Sequence, residues 1–399
     1  MTRRTGQIIS KGNGKYKVMI FLGRDAAGKK QYFIKTITGT KKDADKYLTK
    51  KLNEKNLGEF LEPAEIPLDH LLDEWFEITK NRISQKTFEG YERMANYHLR
   101  SYIGKKRICD LDTHTIQKRY NEIKDKGLSS HTVRQVHKVI NQALSYAVRT
   151  RRLKSNPCQF VNLPKVEHKE MKCFTESELS VFLEFAKEDR YYAAFVIAAE
   201  TGMRIEEYLG LQWKDIDFEA QTVSIQRALI TNLNGGGYLF EQTKNGSSRR
   251  NLDLSNFAIQ VLKAHRRIQL EQKLAILDVY DDLDLIFPTQ IGTPTLYGNL
   301  DQRHFKKIIK KANDAIAKAN AEYGLKEALI PVIRLYDLRH TCATLLLKAL
   351  VPVKVVSERL GHRDPAMTLR VYQHVIPAQQ KEATGIMERL MLGHGKLSA

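Results

Sequence analysis

Two hydrophobic periods divide this chain. Near the N-terminus apolar and polar positions alternate in short runs, KYKVMIFLG at 15–23 and KKQYFIKTI at 29–37, separated by the turn-like RDAAGK. Alternation sends successive side chains to opposite faces of a strand, so the pattern predicts a small antiparallel sheet. KKDADKYLTKKLNEKN (41–56) then predicts a basic helix. From 68 to 160 the period lengthens to that of helices. SSHTVRQVHKVINQALSYAVRTRR is the clearest of them: Ser129 or Ser130 can cap its start, and Val133, Val136, Ile140, Leu144 and Ala147 fall on one face. Arg134, Lys138, Gln142 and Arg149 lie mainly outside that stripe and make a basic surface.

From about 173 helices resume, interrupted by strand signals between 213 and 254. TVSIQ alternates, as do YLFEQTK and RRNLDLS. The last two flank Asn245-Gly246, a strong hairpin signal because both central residues of a type I′ turn need positive φ. The expectation is a hairpin with Lys244 beside its tip. EFLEPAEIP (59–67) and LPKVEHKEMK (163–172) read as linkers, the first acidic with two prolines, the second rich in charge.

Composition narrows the classes. A chain of 399 residues exceeds one average domain, and 42% hydrophobic content is enough for real cores. No apolar run approaches the roughly 18 residues of a membrane span, and the basic N-terminus lacks the apolar stretch of a secretory signal. Cys109, Cys158, Cys173 and Cys342 are scattered and form no C-x-x-C pair, so they read as reduced thiols of a cytosolic protein. The formal charge of +19 favours a polyanionic partner, nucleic acid above all. Residues 1–58 hold 15 Lys+Arg against 4 Asp+Glu. There, Tyr16, Lys17, Lys30, Tyr32 and Lys35 surround the expected sheet, which suits a DNA groove.

Candidate chemistry comes from four short stretches. In TGMRIEEYLGL a helix stops at Gly202 and Arg204 opens the next, with Glu207 three residues on. EQTKNGSSRR carries Lys244. In RLYDLRHTCATLLL, Leu338, Cys342, Leu345 and Ala349 mark a buried stripe, while Tyr336, Arg339 and His340 crowd a neighbouring face, an arrangement suited to an anion. In LGHRDPAMTLRVYQHV, Gly361 ends a helix, His362 emerges beyond it, and Asp364-Pro365 starts a new helix bearing Tyr372.

In this order the motifs resemble the tyrosine recombinase (phage integrase) family, in which T-G-[LM]-R-x-x-E, a hairpin lysine, H-x-x-R-H, L-G-H and a final tyrosine follow one another. The resemblance spans the chain and implies a mostly α fold with small β-sheets. It implies a three-stranded-sheet arm-type DNA-binding domain at 1–58, a helical core-binding domain at 68–162 and a mixed α/β catalytic domain at 173–399. It further implies a site-specific integrase that integrates or excises a mobile element through a 3′-phosphotyrosine and a Holliday junction. The implied partners are double-stranded attachment sites, a homotetramer on DNA, an accessory excisionase and a host DNA-bending protein, in the bacterial cytoplasm at the nucleoid. The implied catalytic set is Arg204, Lys244, Tyr336, Arg339, His362 and the nucleophile Tyr372, with Glu207 and His340 supporting. Tyr336 departs from the pattern, since many members have histidine there. A phenol can donate to a phosphate oxygen but is a poor proton shuttle, its reference pKa being about 10.

The residue types fit that chemistry. A tyrosyl oxygen can hold phosphorus as an ester until another hydroxyl reverses the step. Arginine forks suit the negative charge gathered on the non-bridging oxygens, with His362 a further donor, and Lys244 can protonate the departing 5′-oxygen. HRD at 362–364 lacks companion ligands at suitable spacing, so neither a metal nor another cofactor is expected. Two alternatives stay open: a type IB topoisomerase-like nicking-closing enzyme, and a DNA-binding regulator that has lost catalysis. The intact residue set argues against the regulator. Past Tyr372, the apolar stripe Ile386, Met387, Leu390 and Met391 suits docking on a neighbouring protomer.

Overall fold

The computed structural model describes residues 6–24, 27–57, 64–166, 171–231, 237–242, 249–372 and 379–392. The chain divides into two compact units, Met1–His168 and Lys169–Ala399.

The first unit opens with an antiparallel sheet, β1 (Gly6–Ser10), β2 (Lys15–Arg24) and β3 (Lys30–Thr38), in that spatial order. Helix α1 (Lys41–Asn56) starts at a capping box in which Thr40 and Asp43 satisfy each other's backbone N–H. It covers one sheet face, where Val18, Ile20 and Phe33 pack with Ala44 and Leu48. Four longer helices follow: α2 (Leu68–Thr79), α3 (Gln85–Ala95), α4 (Thr113–Asp125) and α5 (Ser130–Arg149). Ser129 caps α5, its hydroxyl accepting from Thr132 N–H. Val133, Val136, Ile140, Leu144 and Ala147 are buried, joined by Val139 and Ala143, in a core with Trp75, Phe76 and Tyr91.

In the second unit, α6 (Glu176–Ala186), α7 (Tyr192–Thr201) and the short α8 (Ile205–Leu209) lead into strands β4 (Ile216–Asp217), β5 (Thr222–Ile225), β6 (Arg227–Thr231), β7 (Tyr238–Gln242) and β8 (Arg250–Asp253). Helices α9 (Asn256–Ala275), α10 (Lys306–Tyr323), α11 (Asp337–Lys348), α12 (Val353–Leu360), α13 (Pro365–Tyr372) and α14 (Gln379–Leu392) complete it. Its core gathers Phe174, Phe182, Phe195 and Phe305 with α7, whose apolar residues from Ala193 to Ala199 are all buried. No helix among the described residues is long and apolar enough to cross a membrane.

Two expectations are corrected here. Strands β7 and β8 do not form a hairpin with each other. β7 pairs antiparallel with β6, and β8 with β5, so both partner successive parts of the segment 222–231. Burial decides the partners: Val223 and Ile225 of β5 and Leu252 of β8 all face the core. The Asn245-Gly246 turn and Lys244 lie outside the described residues. In α11 the buried set is Asp337, Leu338, Arg339, Thr341, Cys342, Ala343, Thr344 and Leu347, while Leu345 is half-buried and Ala349 exposed. Packing from two sides widens the stripe at the start of the helix, and the end frays into a turn at Leu350.

Candidate active site

Helix ends in the second unit bring the candidate groups together. Helix α7 stops at Gly202, left-handed at φ 63. Two residues later Arg204 takes the N-cap of α8. Its backbone N–H donates to Glu207 Oε2 at 3.0 Å, and its Nη1 donates to Oε1 at 2.8 Å. Its Nη2 donates to the carbonyl of Gly361 at 3.3 Å. The Glu207 carboxyl is buried, which works to raise its pKa. The hydrogen bond and charge of Arg250, followed by the charge of Arg204, outweigh burial and hold it below the usual carboxylate range.

Arg339 comes from the first turn of α11 and is only 3% exposed. Its Nη1 donates to the Gly202 carbonyl at 2.6 Å, while its Nη2 is buried without a hydrogen-bond partner among the described residues. An orphaned guanidinium nitrogen is costly and marks a place where an acceptor belongs. Burial, then the nearby charge of Arg204, pushes its pKa down to about 10, which still leaves it a cation at neutral pH.

Helix α12 ends at Gly361 with φ 66, and His362 follows, its backbone N–H returning to the Ser357 carbonyl at 3.0 Å. The His362 Nδ1 and Thr368 Oγ1 share a hydrogen bond of 2.7 Å. Burial, then Arg339, Arg204 and Arg250, pushes the His362 pKa down to about 4. Asp364 starts α13, accepting from Ala366 N–H at 2.9 Å. Tyr372 is the last residue of that helix. Its side chain is 2% exposed and packs with Ala343, Leu347, Val356 and Leu360. Its hydroxyl and His340 Nδ1 share a hydrogen bond of 2.7 Å. Burial raises the Tyr372 pKa well above that of a free phenol, with the Arg339 charge pulling the other way. His340 is pushed down to about 4, by burial first, against the opposing pull of Asp337. The half-buried Tyr336 sets its ring 5.5 Å from that of His340, edge to face.

The fold thus gathers Arg204, Glu207, Tyr336, Arg339, His340, His362 and Tyr372. One member of the cluster was missed in the sequence. Arg250, at the start of β8, donates from Nη2 to Glu207 Oε2 at 2.9 Å and from Nε to the Arg359 carbonyl at 2.8 Å. Its only sequence signal was its place in the basic pair after KNGSS, which any surface strand could carry.

The first unit presents its basic residues on several faces. On the sheet, Lys17, Lys30 and Tyr32 share the face away from α1 with the exposed Ile9 and Ile34. Tyr16 and Lys35 do not. Tyr16 packs against the core under α1, and Lys35 lies 5.8 Å from the Tyr47 ring of that helix. The reason is strand parity, which Tyr16 shares with Val18 and Ile20, and Lys35 with Phe33. On α5, Arg134 is exposed and donates to the Pro164 carbonyl at 3.0 Å, Lys138 lies over the Tyr91 ring, and Arg149 is exposed. On α14, Met387, Leu390 and Met391 are 52%, 70% and 74% exposed; the Ile386 side chain is outside the described residues.

Known proteins resemble this chain over most of its length. The model of the phage integrase family matches residues 172–379, and that of the phage integrase N-terminal SAM-like domain matches 68–124. A tyrosine recombinase XerC-like protein of Caldanaerobacter subterraneus is 30% identical, over 98% of this chain and 100% of that protein. The ICEBs1 integrase of Bacillus subtilis is 23% identical over 95% and 98% of the two chains. Among solved structures, the Tn1549 transposon integrase in complex with transposon right end DNA superposes with a TM-score of 0.67, covering 82% of this chain and 100% of that one at 24% identity. A lambda integrase tetramer bound to a Holliday junction gives 0.51 at 18% identity, over 90% and 96%.

Proposed function

The chain belongs to the phage integrase family of tyrosine recombinases, enzymes that cut and rejoin DNA, and within that chemistry we propose that it integrates and excises a mobile element with Tyr372 as nucleophile. The Tyr372 oxygen attacks the scissile phosphorus, forming a 3′-phosphotyrosine and expelling the 5′-oxygen. The phenol proton passes to His340 Nδ1, the acceptor already in hydrogen-bond contact. Arg204 and Arg339 receive the non-bridging oxygens; burial, helped by nearby cations, keeps His340 and His362 neutral, and the phosphate's negative charge offsets those cations. His362 donates to the same phosphate. Tyr336, beside His340, offers a phenol donor at its rim. Lys244 protonates the leaving 5′-oxygen. Two such exchanges in sequence pass through a Holliday junction held by four protomers. Excisionase and host DNA-bending proteins assist in the bacterial cytoplasm, where the DNA is.

One observation carries this reading. Arg339 buries a guanidinium nitrogen that has no hydrogen-bond partner among the described residues, in the same cluster as Arg204 and the sequestered Tyr372 hydroxyl, an arrangement suited to receiving a phosphate. The test is a duplex spanning the joined ends of the element that carries this gene, nicked close to the cleavage position. Escape of the short fragment should trap a covalent protein–DNA adduct. Binding without adduct would favour a regulator that has lost catalysis. Relaxation of a supercoiled plasmid, without strand exchange between paired duplexes, would favour the topoisomerase-like alternative.

A further inference from the structure

Arg250 takes no part in the steps above, yet it is buried among the groups that do. Two segments distant in sequence meet on its guanidinium. Nη2 holds Glu207 Oε2 at 2.9 Å, and the other oxygen of that carboxylate holds Arg204 Nη1 at 2.8 Å. Nε holds the carbonyl of Arg359 at 2.8 Å, in the last turn of α12. The turn after that helix passes so close that a Cβ on Gly361 would sit 2.6 Å from Arg250 Nη1. Gly361 in turn accepts from Arg204 Nη2, and His362 is the next residue.

The geometry points to Arg250 as a positioning residue that locks Arg204 and the His362 turn into one rigid unit, so that both face the same phosphate. A buried ion pair serving packing alone would need one arginine for one carboxylate. Here Glu207 is shared by two, and Arg339 stands close by. Three guanidiniums against one carboxylate leave a net charge of +2 in the cluster. A pentacoordinate phosphorane carries two negative charges, so an excess that is unfavourable in the free protein is matched at the transition state. Lysine cannot replace the fork, because one ammonium on a flexible stem does not hold two acceptors in one plane.

This inference rests on the recombinase reading, and the experiment separates the two. Wild type, Arg250→Gln, Arg250→Lys and Arg204→Ala are compared on the nicked joined-end duplex, once with a normal scissile phosphodiester and once with an uncharged methylphosphonate there. The Arg250→Gln protein should form adduct about 10²-fold more slowly on the phosphodiester, the usual cost of a misplaced electrostatic donor, with DNA affinity unchanged. On the methylphosphonate, which is neutral before attack and gathers one negative charge rather than two at the phosphorane, its deficit should shrink markedly, as should that of Arg204→Ala. Arg250→Lys should recover part of the phosphodiester rate. An equal deficit on both substrates would reduce Arg250 to a packing role, and a wild-type rate in Arg250→Gln would remove it altogether. If Arg250→Gln fails to fold, the charge-retaining Arg250→Lys reads the same substrate ratio. Failure of the wild type to form adduct on either duplex would instead count against the recombinase reading.

Discussion

The phenol of Tyr372 is protonated at neutral pH, and burial makes its ionisation harder still. The side chain is therefore inert until something takes its proton, and in the proposed mechanism His340, in hydrogen-bond contact at 2.7 Å, is the acceptor. Tyr372→Phe should abolish adduct formation while leaving DNA binding close to wild type. Loss of the hydrogen bond should cost about 1 kcal/mol of stability, measurable by urea denaturation. Adduct formed by that variant would mean that another residue, such as Tyr336, attacks. His340 and His362 carry a second consequence. Both have pKa values pushed down to about 4 from a reference of 6.5, so between those values the unfolded chain binds protons that the folded one refuses. Their contribution is whole above pH 6.5 and is lost as the pH falls toward 4. The urea midpoint at constant salt should drop across that window, and His362→Gln should make the drop shallower; a slope unchanged in that variant would remove His362 as a cause.

Helix ends do most of the positioning in the second unit. Gly202 and Gly361 both end helices in the left-handed region, and each is followed within two residues by a candidate phosphate ligand. A stop with positive φ reverses the chain sharply, which lets Arg204 and His362 point back over the end of the helix just left. Both positions resist a side chain: on top of the φ penalty, a methyl group at Gly202 meets Leu360 Cδ2 at 2.7 Å, and one at Gly361 meets the Arg250 guanidinium at 2.6 Å. Gly361→Ala should cost about 1–3 kcal/mol by thermal or urea unfolding. It should also slow adduct formation while leaving DNA affinity near wild type. A fully active Gly361→Ala protein would show that the turn tolerates displacement and that its register does not matter.

At the scale of the molecule, the surplus charge and the candidate chemistry lie in different parts of the chain. Residues 1–58 hold more than half of the +19 and none of the catalytic candidates. Deleting them should spare cleavage of a short core-site duplex and impair recombination between complete attachment sites; full recombination by the truncated protein would end the arm-binding role. At the other end, α14 leaves Met387, Leu390 and Met391 in solvent, an apolar stripe without cover among the described residues. If this helix docks on an adjacent protomer, truncation after residue 383 should leave single-site binding intact and weaken the tetramer on paired core sites. Light scattering that shows a normal tetramer would rule that docking out.

What could be read from the sequence was local. The Ser129 cap, the stops at Gly202 and Gly361, and the Asp364-Pro365 start each depend on hydrogen bonds or φ preferences within about one helical turn. The order of the candidate residues along the chain was legible for the same reason. The partners of those residues were not. Arg250 meets Glu207 across 43 residues and Arg359 across 109, and no periodicity carries such a pairing. Asn245-Gly246 announced a turn, but whether β7 and β8 would pair with each other or with β6 and β5 depended on which side chains the core could bury. Tyr16 and Lys17 looked equivalent as neighbours in a basic strand, until α1 covered one face of the sheet and left the other open. Local chemistry set where each element starts and stops. Burial among distant elements settled which charges would share a carboxylate and which tyrosine would lie in the core against a histidine.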